Sequence, residues 1–273
     1  MDRIRLIASD MDATLLDEQS QLPADFEETI HALAELGIRF APASGRPLYT
    51  LEAMFPTLQD ELVFIGDNGG AIRWKGQNLF TSEMSPEGWR ALNRLTREQG
   101  DIAVLCGLES AYVERPFAVH DAVLRHFYTK IEYVDRLEDV AAPADKFTIY
   151  LPQHNAQQAY DTVYASQRSI YSVAVAGECW VDIMNPGVHK GAALQTLGQL
   201  WGLPSESIMA FGDTYNDAEM LQTVRYGFLM ENGSEPLRQK VPFLAPSHRE
   251  AGVMQVLHRV LAQNGCVCPE DFV

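Results

Sequence analysis

The stretch that decides the fold lies near the N-terminus and reads IRLIASDMDATLL, residues 4–16. Its apolar start, Ile4 to Ala8, predicts a short buried β-strand. Asp10 and Asp12 follow directly, at the strand end where open parallel sheets bind their ligands. The stretch therefore predicts two carboxylates at the edge of a buried sheet.

Charge repulsion makes that placement costly. Two carboxylates about 4 Å apart repel by roughly 4 kcal/mol at an effective dielectric of 20. They tolerate such proximity when a cation lies beside them or when one of them holds a proton, and both conditions serve catalysis. An Asp-x-Asp pair alone is more often a solvated turn, so the interpretation depends on the rest of the chain.

Strand and helix patterns alternate at both ends of the chain. Residues 23–36 predict a helix that stops at Gly37, and apolar runs at 38–43 and 62–65 predict strands. The same alternation returns late, with predicted helices at 190–201 and from about 216, strands at 208–211 and 226–230, and a closing helix that includes residues 253–261. This alternation predicts an α/β fold with a Rossmann-like parallel sheet, covered by helices on both faces.

The middle third has a different, α+β pattern. A helix is predicted over residues 85–99, and residues 169–184 predict a hairpin. We therefore expect an inserted cap domain at residues 84–186, within a discontinuous catalytic core of residues 1–83 and 187–273. These boundaries depend on the change of pattern and on a Pro/Gly-containing turn at its end.

Composition argues against several other classes of protein. The 273 residues carry a formal net charge of −16 with no block of Lys and Arg, so we expect no nucleic-acid partner. No apolar run is long enough for a membrane span or a signal peptide, so we expect a cytoplasmic protein without a membrane partner. The four cysteines do not make a disulfide framework, and Cys266 and Cys268 lack the further ligands of a zinc site. Monomer and dimer both remain open.

Three further strand or loop ends carry polar groups. Ser44-Gly45-Arg46 offers a hydroxyl and backbone N–H groups that suit a phosphate oxygen, although the same residues suit a helix cap. Asn68 can offer its amide to a ligand or to its own turn. Lys190 opens a helix, where its ammonium either neutralises a phosphate at the sheet edge or lies in solvent.

The most specific segment is FGDTYNDAEM, residues 211–220. A fourth strand delivers Asp213 to its carboxyl end, and Asp217 follows one helical turn later. Carboxylate oxygens of this kind suit Mg²⁺.

Taken together, these motifs resemble the haloacid dehalogenase-like phosphatases, and among them the Cof-type subfamily with a large cap. The resemblance covers nearly the whole chain and rests on Asp10-x-Asp12-x-Thr14, Ser44-Gly45-Arg46, Lys190-Gly191 and Gly212-Asp213-x-x-Asn216-Asp217, in the family's order. One residue departs from the pattern, because Ala13 stands where the family usually has glycine. Its methyl group adds about 1 kcal/mol of cost if the backbone there needs the freedom of glycine.

The resemblance implies a magnesium-dependent phosphatase with a covalent intermediate. Asp10 would attack phosphorus and form an aspartyl-phosphate, while Asp12 would act as general acid and then as general base. The metal ligands would be Asp10, the backbone carbonyl of Asp12, and Asp213, with Asp217 as a ligand or in support. The residues expected to act on the phosphoryl group and the substrate are Ser44, Gly45, Arg46, Asn68, Lys190 and Asn216, of which Lys190 is also expected to be catalytic.

The expected substrate is a small phosphorylated metabolite, such as a sugar phosphate, a nucleotide or the phosphate of a cofactor precursor. Glu178, Trp180, Asp182 and Met184 alternate along one predicted cap strand, where they either overlook the substrate or pack on the cap's own helices. A phosphomutase of the same superfamily and a phosphometabolite-binding protein disabled by Ala13 remain alternatives. A P-loop or dinucleotide enzyme is disfavoured, because the chain has neither glycine-rich phosphate motif.

Overall fold

The structure is a computed structural model that describes residues 1–272. Its strands are β1 (Asp2–Arg3), β2 (Leu6–Ser9), β3 (Arg39–Pro42), β4 (Val63–Gly66), β5 (Ala71–Trp74), β6 (Gln77–Thr81), β7 (Ile102–Gly107), β8 (Ala111–Glu114), β9 (Ile131–Val134), β10 (Ala144–Tyr150), β11 (Ser172–Ala176), β12 (Trp180–Met184), β13 (Ile208–Gly212), β14 (Tyr226–Met230), β15 (Phe243–Ala245) and β16 (Cys266–Val267). Its α-helices are α1 (Phe26–Glu35), α2 (Leu48–Ala53), α3 (Pro86–Gln99), α4 (Asp121–Phe127), α5 (Ala156–Asp161), α6 (Lys190–Trp201), α7 (Ala218–Thr223), α8 (Glu235–Arg238) and α9 (Gly252–Ala262).

Five strands form a parallel sheet in the order β15-β14-β13-β2-β3. Strand β2 is fully buried between β13 and β3. Its last residue, Ser9, pairs with Phe211 on one side and with Pro42 on the other, so the three strands end at one edge. This register brings the segments after residues 9, 42 and 212 together, and the predicted α/β fold is confirmed.

Apolar side chains cover both faces of the parallel sheet. One face packs against α1 and α9, which contribute buried residues such as Leu33 and Leu257. The other packs against α6 and α7, through residues such as Leu197. Each of these buried side chains contributes about 1.5–3 kcal/mol relative to an exposed position. Helix α6 has the predicted bounds, and Gly202 ends it in the left-handed conformation at φ 62°.

Strand β4 departs from the sequence prediction, which placed it in the parallel sheet. Ile65 forms one parallel bridge with Ala43, the residue after β3, and β4 otherwise pairs antiparallel with β5 in a three-stranded sheet. The antiparallel pairing follows from the turn after β4, where Asp67, Asn68 and Gly69 have φ values of 49°, 54° and 97°. These left-handed residues reverse the chain at once, so β5 returns along β4.

A six-stranded sheet, which we call the cap sheet, has the order β11-β12-β10-β7-β8-β9 and is antiparallel except between β8 and β9. Helices α3 and α5 cover one of its faces, and α4 packs with Trp180 on the other. Helix α3 has a strong start, because the Ser85 hydroxyl accepts a hydrogen bond from the Gly88 N–H and Pro86 follows the cap. All six strands lie within residues 102–184. The division of the chain at residues 83 and 187 stays a prediction.

No helix in residues 1–272 combines the length and apolar character that crossing a membrane requires.

Candidate active site

Asp10 lies where β2 ends, at the start of a tight turn, Met11–Leu15. Its backbone N–H donates to the Phe211 carbonyl at 2.9 Å, which extends the pairing of β2 with β13 by one residue. The carboxylate is buried and accepts a hydrogen bond from the Lys190 ammonium. Burial raises the pKa of Asp10 well above its usual range, the ammonium of Lys190 opposes this, and the charges of Asp217 and Asp213 add to it.

Lys190 is the fully buried cation of this site, at the first residue of α6. The His189 ring caps the helix, because its Nδ1 accepts a hydrogen bond from the Ala192 N–H at 3.1 Å. This cap fixes the start of α6 and with it the backbone position of Lys190. The Lys190 ammonium reaches both Asp10 and Asp217, the latter at 2.7 Å. Burial alone would lower the pKa of Lys190, but the two carboxylates outweigh it and raise that pKa. The lysine therefore stays charged.

Asp213 and Asp217 follow β13, as the sequence predicts. Asp217 is fully buried, and its Oδ2 accepts the N–H groups of Asp213 at 3.0 Å and Thr214 at 3.2 Å. The carboxylate fits here because Gly212 has no side chain, since a Cβ at that position would lie 2.5 Å from the Asp217 Cβ. Burial, and then the charge of Asp217, raises the pKa of Asp213 to about 7.

The three carboxylates fit a hard divalent cation. One oxygen from each of Asp10, Asp213 and Asp217 lies within 4.8 Å of the others. When all three are ionised, Lys190 neutralises only one of the three negative charges. A net charge of −2 remains, which a divalent cation would balance. Oxygen donors at such spacing are the ligands that Mg²⁺ takes. The predicted contact through the Asp12 backbone carbonyl stays a prediction.

Ala13 adopts the left-handed conformation, with φ 57° and ψ 14°. Its carbonyl accepts a hydrogen bond from Asn232 at 2.9 Å, which helps to hold the turn in this shape. The backbone at this position therefore has the conformation that glycine adopts without steric cost.

We expect Ala13→Gly to leave the turn unchanged and to shift the free energy of unfolding by no more than about 1 kcal/mol, because relief of left-handed strain and the larger entropy of an unfolded glycine oppose each other. Denaturant unfolding of both proteins measures this shift. Phosphatase assays of the same two samples test whether Ala13 disables the site. If the parent is inactive and the Ala13→Gly variant is active, Ala13 is the cause of the inactivity.

Arg46 and Asp12 form a bidentate ion pair that the sequence did not predict. The guanidinium donates to the two carboxylate oxygens at 2.5 and 3.0 Å. The Arg46 side chain is only 7% exposed, whereas that of Asp12 is 56% exposed, so the pair points from the protein toward open space. Asp12 thus lies apart from the contacts of Lys190 and is held by the Ser44-Gly45-Arg46 loop.

Ser44 and Asn68 belong to two loops that hold each other. The Ser44 hydroxyl accepts the Arg46 N–H at 3.1 Å, and the Ser44 carbonyl accepts the Asn68 N–H at 2.9 Å. The Asn68 side-chain amide donates to Asp182 of β12 at 2.9 Å. Asn216 lies beyond β13 instead, where its Oδ1 accepts the Thr214 hydroxyl at 2.6 Å. The phosphate-binding roles predicted for these residues stay predictions.

Strand β12 carries only three of the four residues that were expected to alternate along one cap strand. Trp180, Asp182 and Met184 are buried on it. Glu178 lies in the exposed turn before the strand, with its carboxylate 3.0 Å from His154. The prediction that these four residues share one face is therefore wrong for Glu178, because the strand begins only at Trp180.

Sequence reasoning missed a buried group of charges between the six-stranded sheet and the loop that follows β4. Lys146 contacts Asp67 at 3.1 Å and Asp182 at 3.5 Å, and Asp145 is also fully buried. The signal was available, because Asp145 and Lys146 interrupt an apolar strand, β10. Charged residues in a fully buried strand need partners from elsewhere in the fold.

Asp145 offers a pH test of this group. Burial, and then the charge of Asp67, raises the pKa of Asp145 well above its usual range, although Lys146 opposes the rise. The folded protein therefore binds this proton more tightly than the unfolded chain, so stability is lost as the pH rises above the unfolded pKa of about 4. We expect Asp145→Asn to gain Tm relative to the parent as the pH rises, and calorimetry from pH 4 to 8 measures this. A constant difference would contradict it.

Comparison with known proteins agrees with this geometry. A family model described as haloacid dehalogenase-like hydrolase matches residues 7–257. The chain is 31% identical to the 5-amino-6-(5-phospho-D-ribitylamino)uracil phosphatase YbjI of Escherichia coli, over 94% of this chain and 96% of that protein. It is also 31% identical to the HMP-PP phosphatase of Cronobacter sakazakii, over 88% and 89% of the two chains.

A solved structure gives the same result at the level of the fold. A Streptococcus mutans protein superposes with a TM-score of 0.86 at 28% identity, covering 95% of this chain and 99% of that one. The resemblance to Cof-type haloacid dehalogenase-like phosphatases, and with it the predicted class of phosphoric monoester hydrolase, is confirmed. The chain belongs to the haloacid dehalogenase-like hydrolase family.

Proposed function

We propose that this protein is a magnesium-dependent phosphatase that hydrolyses small phosphorylated metabolites through an aspartyl-phosphate on Asp10. The observation that carries the proposal is the convergence of Asp10, Lys190, Asp213 and Asp217 at one sheet edge. A lone buried carboxylate there would hold its proton, since burial raises its pKa. The adjacent ammonium opposes this rise but does not cancel it, and a bound Mg²⁺ would add the positive charge that favours the ionised form a nucleophile needs.

In the proposed reaction, an Asp10 carboxylate oxygen forms a bond to phosphorus while the bond from phosphorus to the ester oxygen breaks. Protonated Asp12 gives its proton to the leaving alkoxide, and the carboxylate that remains takes a proton from the water that attacks the aspartyl-phosphate. Inorganic phosphate then leaves, and Asp10 is restored. Asp12 suits contact with the substrate because its carboxylate is more exposed than that of Asp10, and its ion pair with Arg46 must open before Asp12 can hold the proton.

The neighbouring residues hold these two carboxylates in place. Lys190 neutralises charge on the nucleophile and on the phosphoryl oxygens, and Asp217 holds Lys190 from the other side. The Arg46 guanidinium lies on the side of Asp12, where it can bind an anionic or polar part of the substrate. Asp10, Asp213 and Asp217 would hold Mg²⁺, which supplies electrostatic stabilisation of the transferring phosphoryl group.

The names of the relatives suggest where a substrate search begins. The relative from Escherichia coli is named as a 5-amino-6-(5-phospho-D-ribitylamino)uracil phosphatase, and so is one from Bacillus subtilis that is 23% identical. We therefore place this phosphate ester first in a screen, followed by sugar phosphates and nucleotides. Release of inorganic phosphate from any of them supports the proposal. Transfer of the phosphoryl group to a second hydroxyl, without release, would instead mark a mutase.

We expect removal of the metal to abolish activity and to lower stability. Chelation should reduce turnover by at least about 100-fold, and added Mg²⁺ should restore it. Mg²⁺ at 100 times its Kd should also stabilise the folded protein by about 2.7 kcal/mol, which calorimetry measures without substrate. Asp213→Asn serves as the control, because it should remove most of this stabilisation. Full turnover in chelator would contradict the metal dependence.

A further inference from the structure

A buried cluster of charges joins the cap sheet to the two loops that follow β3 and β4. We define the bridging cluster as Lys146 and Asp182 from the cap sheet together with Asp67 from the loop after β4. All three are at most 3% exposed. Their side chains meet at the Lys146 ammonium, which lies 3.1 Å from Asp67 and 3.5 Å from Asp182. In the part of the chain that the structure describes, no hydrogen bond or ion pair joins these residues to Lys190 or to the carboxylates around it, and the reaction outlined above does not use them.

Lys146 also holds the backbone of the Ser44-Gly45-Arg46 loop. Its ammonium donates to the Gly45 carbonyl at 2.5 Å. In a trans peptide the carbonyl and the following N–H point in opposite directions, so fixing the Gly45 carbonyl also fixes the Arg46 N–H. That N–H donates to the Ser44 hydroxyl at 3.1 Å. A side chain of the cap sheet thereby sets the orientation of Ser44 and of the backbone from which Arg46 extends.

Asp182 holds the neighbouring loop in the same way. Its carboxylate accepts hydrogen bonds from the Thr148 hydroxyl at 2.7 Å and from the Asn68 amide at 2.9 Å. Asn68 in turn donates its backbone N–H to the Ser44 carbonyl. The Asn68 backbone is left-handed, at φ 54°, so this loop has a conformation that needs support from its surroundings.

We propose that Lys146 and Asp182 are positioning residues, through which the docked cap sheet orders both loops for binding of the phosphoryl group. The proposal rests on the proposed function, because it takes these loops to be phosphate-binding. Buried ion pairs are strong only while water is excluded from them. Phosphate binding by these loops then depends on the contacts that Lys146 and Asp182 make with Gly45 and Asn68. Phosphate binding and docking of the cap are therefore coupled.

The decisive measurement is the Kd of inorganic phosphate in the presence of Mg²⁺, determined by calorimetry on the full chain. Lys146→Met alone leaves two buried carboxylates, Asp67 and Asp182, without their ammonium and can fail to fold. The double variant Lys146→Met/Asp182→Asn keeps the net charge of the cluster and leaves only Asp67 without the ammonium, and thermal unfolding shows whether it is folded. We expect its phosphate Kd to rise by about 10- to 100-fold, the range typical when outer hydrogen-bond partners of a site are lost. We expect Lys146→Arg, which keeps the charge, to recover part of the loss.

Tyr164→Phe is the matched control. The Tyr164 hydroxyl is buried within the cap, where it donates to Asp101 at 3.1 Å and not to the loops. This variant should lower Tm and leave the phosphate Kd unchanged. A Kd within twofold of the parent in the folded double variant would overturn the inference. Failure of the proposed function would be seen differently, as turnover by Asp10→Asn in a protein whose cap is unaltered.

Discussion

Asp10→Asn is expected to lower turnover by at least about 1000-fold while the protein remains folded. Loss of a nucleophile costs at least this much in enzymes with covalent intermediates. The amide keeps the shape of the carboxylate, and Lys190 keeps its 2.7 Å contact with Asp217, so the buried ammonium is not left alone. Steady-state release of phosphate measures the loss, and circular dichroism with thermal unfolding reports the fold.

The useful comparison is Asp12→Asn, which removes the proposed proton donor but not the nucleophile. A substrate whose leaving group needs no proton, such as an aryl phosphate with an acidic phenol, should lessen the defect of Asp12→Asn but not that of Asp10→Asn. If Asp10→Asn keeps a tenth of the parent's activity, Asp10 is not the nucleophile.

Lys190→Met is expected to have the largest effect on stability. The change removes the ammonium that Asp10 and Asp217 share, and leaves two buried carboxylates facing each other. Breaking a buried pair in this way costs about 3–5 kcal/mol. For a domain of this size, about 2–4 °C of Tm corresponds to each kcal/mol, so we expect a drop of roughly 6–20 °C together with loss of turnover.

Mg²⁺ provides a second measurement for the same variant. Without the ammonium the three carboxylates are more negative, so Mg²⁺ should raise the Tm of Lys190→Met by more than it raises that of the parent. Lys240→Met, at an exposed lysine, should change neither Tm nor the response to Mg²⁺. A Lys190→Met protein with the parent's Tm in chelator would show that the carboxylates do not depend on this charge.

The sequence was sufficient for the residues that follow parallel strands. Because such strands end at one edge, Asp10 and Asp213 could be placed together although they are far apart in the chain, and the structure has them there. Helix α6 was also predictable from end to end, since Gly202 stops it and its apolar residues repeat with the helical period. In both cases a local pattern determines the structure.

Contacts between the cap sheet and the loop after β4 could not be predicted from local patterns. The pairing of Lys146 with Asp67, and of Asp182 with Asn68, depends on how the cap sheet lies on the core. Alternation along β12 identifies which residues share a face, but not what that face meets. The ion pair of Arg46 with Asp12 was missed for a related reason, because long side chains from separate loops reach each other in ways that spacing does not encode.

The position of Lys190 in the chain has a consequence for biosynthesis. Asp10 is made among the first residues, but Lys190, which neutralises it, and Asp213, which lies beside it, come only after all six strands of the cap sheet. Strand β2 must also wait for β13 before its pairing on that side is complete. A chain emerging from the ribosome therefore carries the proposed nucleophile without its partners. On the proposed mechanism, the growing polypeptide cannot carry out the reaction until its last third has folded back onto its first residues.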